Sequence, residues 1–313
     1  MLRRGEPWFF GEGGVFPGSP LARFVPAIYD AAMRIALAQL NPILGDVGAN
    51  IEKTAEAIRE AKSLGSDLVV FPELSLTGYS LGQISDEVSL DINNDERIKA
   101  LLEAAGDTSL LLCFHEDDGG VRTYNSAAYF EDGRLVHLHR KLYLPTYGHF
   151  EERKHFAPGQ RMRAFSTKFG RMAALICNDA WQPTLGFLAV QDSARVLLVP
   201  TNSADSRFPG DMDTTEYWHD ITSFYGRMYE CYVVFVNRVG TEGDLAFWGN
   251  SHVTDPMGDV IAEAPLYKET LITADLDLGS VLQRRRRVPL LREARLGLLS
   301  REMNRLSDEG GDL

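Results

Sequence analysis

The sequence predicts an α/β protein, and three observations carry that prediction. From Met33 onward, short apolar runs alternate with segments whose apolar residues recur at helical spacing. Asp132-Gly133 and Gly170 each separate two strand-like runs, which sets antiparallel hairpins among the strand–helix units. The composition, 44% hydrophobic and 24% charged over 313 residues, supplies a full core and excludes a chain disordered throughout.

Residues 1–32 carry Gly11, Gly13, Gly14, Pro17, Gly18 and Pro20, which break any periodicity, so this stretch reads as an irregular extension. The repeating pattern opens with a buried strand at 35–40. Asn50 is placed to cap a helix that turns Ile51, Ala55 and Ile58 to one face and stops at Gly65. Strands follow at 67–71, where Pro72-Glu73 ends the run, and at 109–114, after a helix around 98–105. Next come a meander, 123–130 with 135–141, and a hairpin, 164–167 with 171–177. Residues 184–193 suit a helix, 196–200 a strand, and 213–231 a long helix burying Tyr217, Ile221, Phe224, Tyr225 and Met228. Strands at 232–237, 251–254, 260–264 and 271–276 complete the pattern. Residues 33–300 therefore read as one domain, and the polar tail 301–313 reads as frayed.

A formal net charge of −12 leaves no dominant cationic surface, which argues against generic binding to nucleic acid or to an anionic membrane. The run Arg284-Arg285-Arg286-Arg287 opposes that balance. It reads as a solvated helix face or as salt bridges to the acidic surface, with a contact for an acidic partner as the alternative. Cys113, Cys177 and Cys231 are too few and too far apart for a disulfide framework or a zinc knuckle, which fits a reduced cytosol. No apolar run is long enough to span a bilayer, and Gly5, Glu6 and Pro7 interrupt any leader after Arg3-Arg4, so a cytoplasmic protein is expected.

Three ionisable residues hold matching positions. Glu73 lies just past one strand, Lys141 at the end of another, and Cys177 at the end of the run Ala173-Ala174-Leu175-Ile176-Cys177-Asn178-Asp179-Ala180-Trp181. Strand C-terminal ends are where ligands of α/β sheets gather. A free thiol has a pKa of about 8.5 and needs a neighbouring base or cation to react at neutral pH. Glu73, its pKa raised by burial, would take the thiol proton and pass it to a leaving amine. Lys141 and the backbone N–H of Asn178 would stabilise the oxyanion. Those parts suit acyl transfer from an amide to water through a thioester, with no metal or organic cofactor.

Asn202 and Ser203, after the strand ending at Pro200, are placed either to line the pocket or to stabilise their loop, and Arg207 to meet a substrate carboxylate. His137 and His139 alternate on one strand and offer two zinc ligands on a shared face, without a third at a recognisable spacing. Cys113 and Cys231 read as packing residues.

The contexts narrow the choice. Phe71-Pro72-Glu73-Leu74-Ser75-Leu76-Thr77-Gly78-Tyr79, His139-Arg140-Lys141-Leu142-Tyr143-Leu144-Pro145 and Leu175-Ile176-Cys177-Asn178-Asp179-Ala180-Trp181 occur in that order. They resemble the three signature blocks of the nitrilase superfamily of carbon–nitrogen hydrolases. The resemblance covers about residues 33–290 and includes Asn237-Arg238-Val239-Gly240 and Gly249-Asn250-Ser251. It implies a four-layer α-β-β-α sandwich that dimerises through its helices, with Glu73, Lys141 and Cys177 as the catalytic set.

Within the superfamily, Leu144-Pro145-Thr146-Tyr147-Gly148-His149-Phe150-Glu151-Glu152-Arg153 looks like the lid of the glutaminase domain of glutamine-dependent NAD synthetases. That likeness implies Glu152 as a second glutamate orienting Lys141, with Glu151 competing for the role, and Tyr79, Tyr147 and Phe150 bordering the substrate. Asn178 stands where those domains commonly carry Glu, which changes how a glutamine amino group would be met. The ATP-binding Ser-Gly-Gly loop of the synthetase half does not occur in the sequence, so the chain is not expected to make NAD by itself. The expected activity is hydrolysis of a small linear amide or carbamoyl compound by a homodimer or larger homo-oligomer. The alternative is a non-catalytic or partner-dependent glutaminase-like subunit that supplies ammonia to a separate ATP-dependent synthetase.

Overall fold

Two six-stranded sheets packed face to face form the centre of the molecule. The computed structural model describes residues 32–146, 150–205 and 213–310. The chain runs β1 (Ala32–Gln39), α1 (Val47–Ser63), β2 (Leu68–Val70), a short α2 (Ser85–Val88), α3 (Glu96–Ala105), β3 (Ser109–Asp117), β4 (Thr123–Glu131) and β5 (Arg134–Arg140). It continues through β6 (Phe165–Thr167), β7 (Gly170–Ala174), α4 (Pro183–Gln191), β8 (Val196–Thr201), α5 (Thr214–Tyr229) and β9 (Tyr232–Asn237). A separate hairpin, β10 (Val239–Glu242) with β11 (Leu245–Trp248), precedes β12 (His252–Thr254), β13 (Val260–Glu263), β14 (Thr270–Asp277), α6 (Leu278–Arg287) and α7 (Leu296–Asp308).

The first sheet has the order β14-β1-β2-β3-β4-β5 and the second β13-β12-β9-β8-β7-β6. Each has a parallel centre, β1-β2-β3 or β7-β8-β9, with antiparallel strands outside it. Because successive strand residues point to opposite faces, each strand serves two cores. Ile35, Leu37, Leu68 and Val70 meet Ala174, Ile176, Leu198 and Val234 between the sheets. Ala36, Val69 and Leu110 turn outward to Ile58, Ala61 and Leu101 of α1 and α3, while Ala173, Leu197 and Val233 turn to Leu185, Trp218 and Tyr225 of α4 and α5. The result is the expected four-layer α-β-β-α sandwich.

Several local expectations are corrected. Asp46, not Asn50, caps α1: its carboxylate accepts from the Ala49 N–H at 3.0 Å. Asn50 is buried one turn in, where its amide bonds Ile43 and Leu76 and ties the helix to the turn after β2. In α5 the buried face is Trp218, Thr222, Tyr225, Gly226 and Tyr229, whereas Tyr217, Phe224 and Met228 are exposed. Both faces are aromatic, so periodicity alone could not choose. Tyr225 and Tyr229 hydrogen-bond the Ala180 and Pro183 carbonyls, and a side chain at Gly226 would meet the Asp255 carbonyl at 2.4 Å. Those contacts fix the inward face.

The tail from 301 is helical through Asp308 as part of α7, not frayed, so the element crosses the boundary drawn at 300. Its residues are exposed from Arg301 to Gly310. The arginine run forms the last turn of α6, and it is not all solvated. Arg285 is largely buried and donates to the carbonyls of Ala194, Tyr229 and Glu230, which closes the C-terminal ends of α4 and α5. No helix among the described residues is long and apolar enough to cross a membrane.

Candidate active site

Each of the three expected groups sits just beyond a strand, on backbone that the local turn constrains. After β2 the chain reverses at Pro72, closed by Ser75 N–H to the Pro72 carbonyl (3.2 Å) and Gly78 N–H to the Leu74 carbonyl (2.8 Å). Leu74 takes φ of +48°, an uncommon conformation for a branched residue, and its buried side chain holds it there. Glu73 is thereby turned inward and is completely buried. Lys141 follows β5, with its N–H on the Asn125 carbonyl and its own carbonyl accepting from Gly159, both at 2.8 Å.

Cys177 was expected at the end of its strand, but the ladder stops at Ala174. The thiol instead opens a 3-10 turn, Cys177–Trp181, with φ of +45°. Ile176 still packs between the sheets, so the apolar pattern outlasts the hydrogen bonding. The sharp turn presents a half-buried thiol at the rim.

Lys141 Nζ lies 2.6 Å from Glu73 Oε1 and 2.7 Å from Glu152 Oε1. Asn125 Nδ2 donates to Glu73 Oε1 at 2.7 Å, and the Tyr79 hydroxyl donates to Glu152 Oε1 at 2.8 Å. The second carboxylate oxygen of each glutamate is buried without a hydrogen-bond partner among the described residues. Desolvation opposes the charge of Lys141, yet Glu152 and Glu73 outweigh it and hold the ammonium well above its ordinary pKa. Burial raises Glu152 to about 7 despite the opposing pull of Lys141, with Glu73 adding repulsion. Cys177 is pushed well above the usual thiol value by desolvation and then by Glu73, while Lys141 and a backbone N–H from Asn202 pull the other way. The thiol thus lies within electrostatic reach of a cation and two carboxyl groups.

Other expected residues are placed differently. Of the paired glutamates, Glu152 reaches Lys141, while Glu151 is exposed and pairs with Lys154 at 2.5 Å. Tyr79 commits its hydroxyl to Glu152, and the Phe150 ring meets it edge-on at 6.0 Å. Asn178 Nδ2 donates to the Tyr143 carbonyl at 3.1 Å, so that amide anchors the segment just after Lys141. Asn202 is buried with neither its amide nitrogen nor its amide oxygen hydrogen-bonded among the described residues. Ser203 exchanges backbone hydrogen bonds with the Asn237 side chain. Tyr147 and Arg207 fall outside the described residues.

The histidine pair is not assembled as a zinc site. His137 stacks on Phe165 at 4.5 Å, whereas His139 Nε2 is bonded to Asp179. Among the described residues no three His, Cys, Asp or Glu side chains converge as a metal ion would require.

Two contributors were not foreseen. Asn125 was one apolar-strand residue among many, and nothing in its position advertised Glu73 as its partner. Glu242 accepts from the N–H groups of Tyr79 and Ser80 and is ion-paired with buried Arg238, whose guanidinium lies 4.3 Å from the Phe247 ring centre. Arg238 was visible within the stretch Asn237-Arg238-Val239-Gly240 of the resemblance; its partner lay on a hairpin that was not predicted.

The carbon-nitrogen hydrolase family model matches residues 34–286. The glutamine-dependent NAD(+) synthetase of Thermotoga maritima is 33% identical over 251 residues, which cover 80% of this chain and 43% of that protein. The chain thus spans less than half the length of that relative. A citrullinase of Francisella tularensis is 27% identical over 276 residues, covering 85% of this chain and 96% of the relative. Among solved structures, a carbon-nitrogen hydrolase from Helicobacter pylori G27 superposes with a TM-score of 0.78 at 24% identity, over 86% of this chain and 97% of that one, and bears on the fold alone. The family match takes in both sheets and all of the turns that carry Glu73, Lys141, Glu152 and Cys177, and the chain belongs to the carbon-nitrogen hydrolase family.

Proposed function

We propose that the protein is a cysteine-dependent amidase that hydrolyses a small linear amide or carbamoyl compound through a thioester, releasing ammonia or an amine. The observation that carries this reading is the buried Lys141 ammonium held between Glu73 and Glu152, within electrostatic reach of Cys177. Glu73 takes the thiol proton on its unpartnered oxygen as Cys177 sulfur bonds the carbonyl carbon. The carbonyl electron pair moves onto oxygen, facing Lys141 and the backbone N–H of Asn178. Collapse expels the amine, which collects the proton from Glu73. Water then gives a proton to Glu73 and attacks the thioester, and Cys177 departs as thiolate and recovers that proton. Glu152 holds Lys141 throughout.

The unpartnered amide of Asn202 supports the substrate class, since a carboxamide or ureido group offers both a donor and an acceptor to it. Likeness to a citrullinase points the same way. Phe150, whose ring meets Tyr79 edge-on, borders the site in this reading. A cytoplasmic location follows from the need to keep Cys177 reduced. A homodimer is supported by the exposed apolar face of Tyr217, Phe224 and Met228 on α5.

A second reading, a glutaminase-like subunit supplying ammonia to a separate ATP-dependent synthetase, is favoured by the 33% identity to a glutamine-dependent synthetase. Ammonia release over a panel of amides, carbamoyl amines and glutamine separates the two. The first reading expects turnover without a partner, and the second expects turnover that rises sharply with one. Cys177→Ala is expected to abolish release in either case while leaving the fold intact, and undiminished release from that variant would refute the nucleophile.

A further inference from the structure

The nucleophile and its charged partners belong to different sheets. Glu73 and Lys141 extend strands of the first, and Cys177 extends a strand of the second. Their separation therefore depends on how the sheets are joined at this rim. Beside the Asn178–Tyr143 contact, the Asp179 carboxylate makes most of that join. Asp179 Oδ1 accepts from the N–H groups of Leu142 and Tyr143, both at 2.9 Å, and Oδ2 accepts from the Ile176 N–H at 3.1 Å. The Nε2 of His139 lies 2.9 Å from the same Oδ2, and both side chains are completely or almost completely buried. His139 Nδ1 has no partner among the described residues, so the ring serves this contact alone.

We propose that Asp179, with His139 as its donor, is a positioning pair that fixes the distance between Lys141 and the Cys177 sulfur. The pair brackets Lys141 on both sides in sequence, through residue 139 before it and residues 142 and 143 after it. On the other sheet it holds the residue directly before Cys177 and lies within the same turn as the thiol. The carboxylate has four N–H donors and no solvent, so its geometry is over-determined. An amide at 179 presents its NH2 group to one set of these donors and cannot reproduce the arrangement. The inference rests on the assignment of Cys177 and Lys141 made above. It concerns where they are held, not what they do.

The test measures turnover and, separately, the rate at which iodoacetamide alkylates Cys177, in wild type, Asp179→Asn, His139→Leu and His139→Gln. A misplacement of about 1 Å at a reacting centre costs about 100-fold in rate, so Asp179→Asn and His139→Leu are expected to lower kcat by about that factor with KM little changed. Alkylation slows in parallel, because a displaced Lys141 no longer favours the thiolate. His139→Gln retains an N–H donor and restores both rates to within about fivefold of wild type, on the same scale of positional tolerance. Circular dichroism and a single cooperative melt show that the fold persists. If Asp179→Asn does not fold, the two His139 variants decide the matter. Equal rates in His139→Leu and His139→Gln, or a rise in KM with kcat and alkylation unchanged, would overturn the positioning role. Failure of the amidase assignment shows elsewhere, as Cys177→Ala still turning over.

Discussion

Glu152→Gln probes the charge that faces Lys141 without removing an oxygen. Glu152 Oε1 accepts from Lys141 at 2.7 Å and from Tyr79 at 2.8 Å, and glutamine keeps an acceptor there while losing the negative charge. A hydrogen bond to a charged partner contributes roughly 1 kcal/mol more than a neutral one, so two weakened contacts amount to about 2 kcal/mol. Expressed wholly in the transition state, that is about 30-fold in kcat. Burial raises the pKa of Glu152 to about 7, so wild-type kcat is expected to rise with pH through that value as the carboxylate ionises. The variant lacks the inflection. Wild type and variant therefore converge at pH 6 and differ most at pH 8. Stability supplies an independent sign. The folded-state pKa lies above the ordinary 4.5, so the stability contributed by the protonated group is fully present below 4.5 and is lost as pH rises through about 7. The substitution flattens that slope. Ammonia release followed from pH 5.5 to 8.5, with urea unfolding at the same points, reads both effects. A variant with wild-type kcat and an unchanged inflection near 7 would show that Glu152 neither titrates in this range nor holds Lys141.

Three further outcomes follow from the same contacts. Tyr79→Phe removes a donor that lowers the pKa of Glu152, so the kcat inflection is expected to move above 7; a downward shift or none contradicts the hydrogen bond as drawn. Gly226→Ala places a methyl group 2.4 Å from the Asp255 carbonyl and is expected to destabilise by about 2 kcal/mol, read as a lower Tm with kcat per folded molecule unchanged. Light scattering is expected to report a dimer, and a Phe224→Glu, Met228→Glu double variant a monomer, since both residues lie on the exposed face of α5.

The strands were legible because buried strands read as apolar runs and the parallel centre of each sheet buries both faces, whereas the layer order came from the resemblance of the three blocks and not from the apolar pattern. The positions of Glu73 and Lys141 followed from where those runs stop. The position of Cys177 did so only approximately, since Ile176 continues the apolar pattern after the ladder has ended and cysteine carries no signal for a left-handed φ. Asp46 and Asn50 are both cap-forming residues, and the choice between them was made by Gly45, whose φ of +74° delivers the chain to Asp46. The hairpin of β10 and β11 had a visible sign, Gly243-Asp244 between two strand-like runs, and Gly243 does take φ of +56°. That hairpin carries Glu242 to Tyr79, so overlooking it concealed the support behind Glu152. The burial of Arg285 had no such sign, because a guanidinium that closes helix ends is indistinguishable in sequence from its solvated neighbours.

Arg285 also bears on the mechanics of the whole assembly. It is carried on α6, which follows directly from a strand of the first sheet, yet its three acceptors terminate helices laid over the second. Tyr232 of the second sheet bonds the backbone of Asp277 at the same corner. The two halves of the sandwich are thus riveted at the end of the chain as well as beside the thiol, and sliding one half over the other would have to break both fastenings. In the mechanism proposed above the reacting groups are divided between those halves, and resistance to shear at a remote corner then becomes a requirement for their alignment.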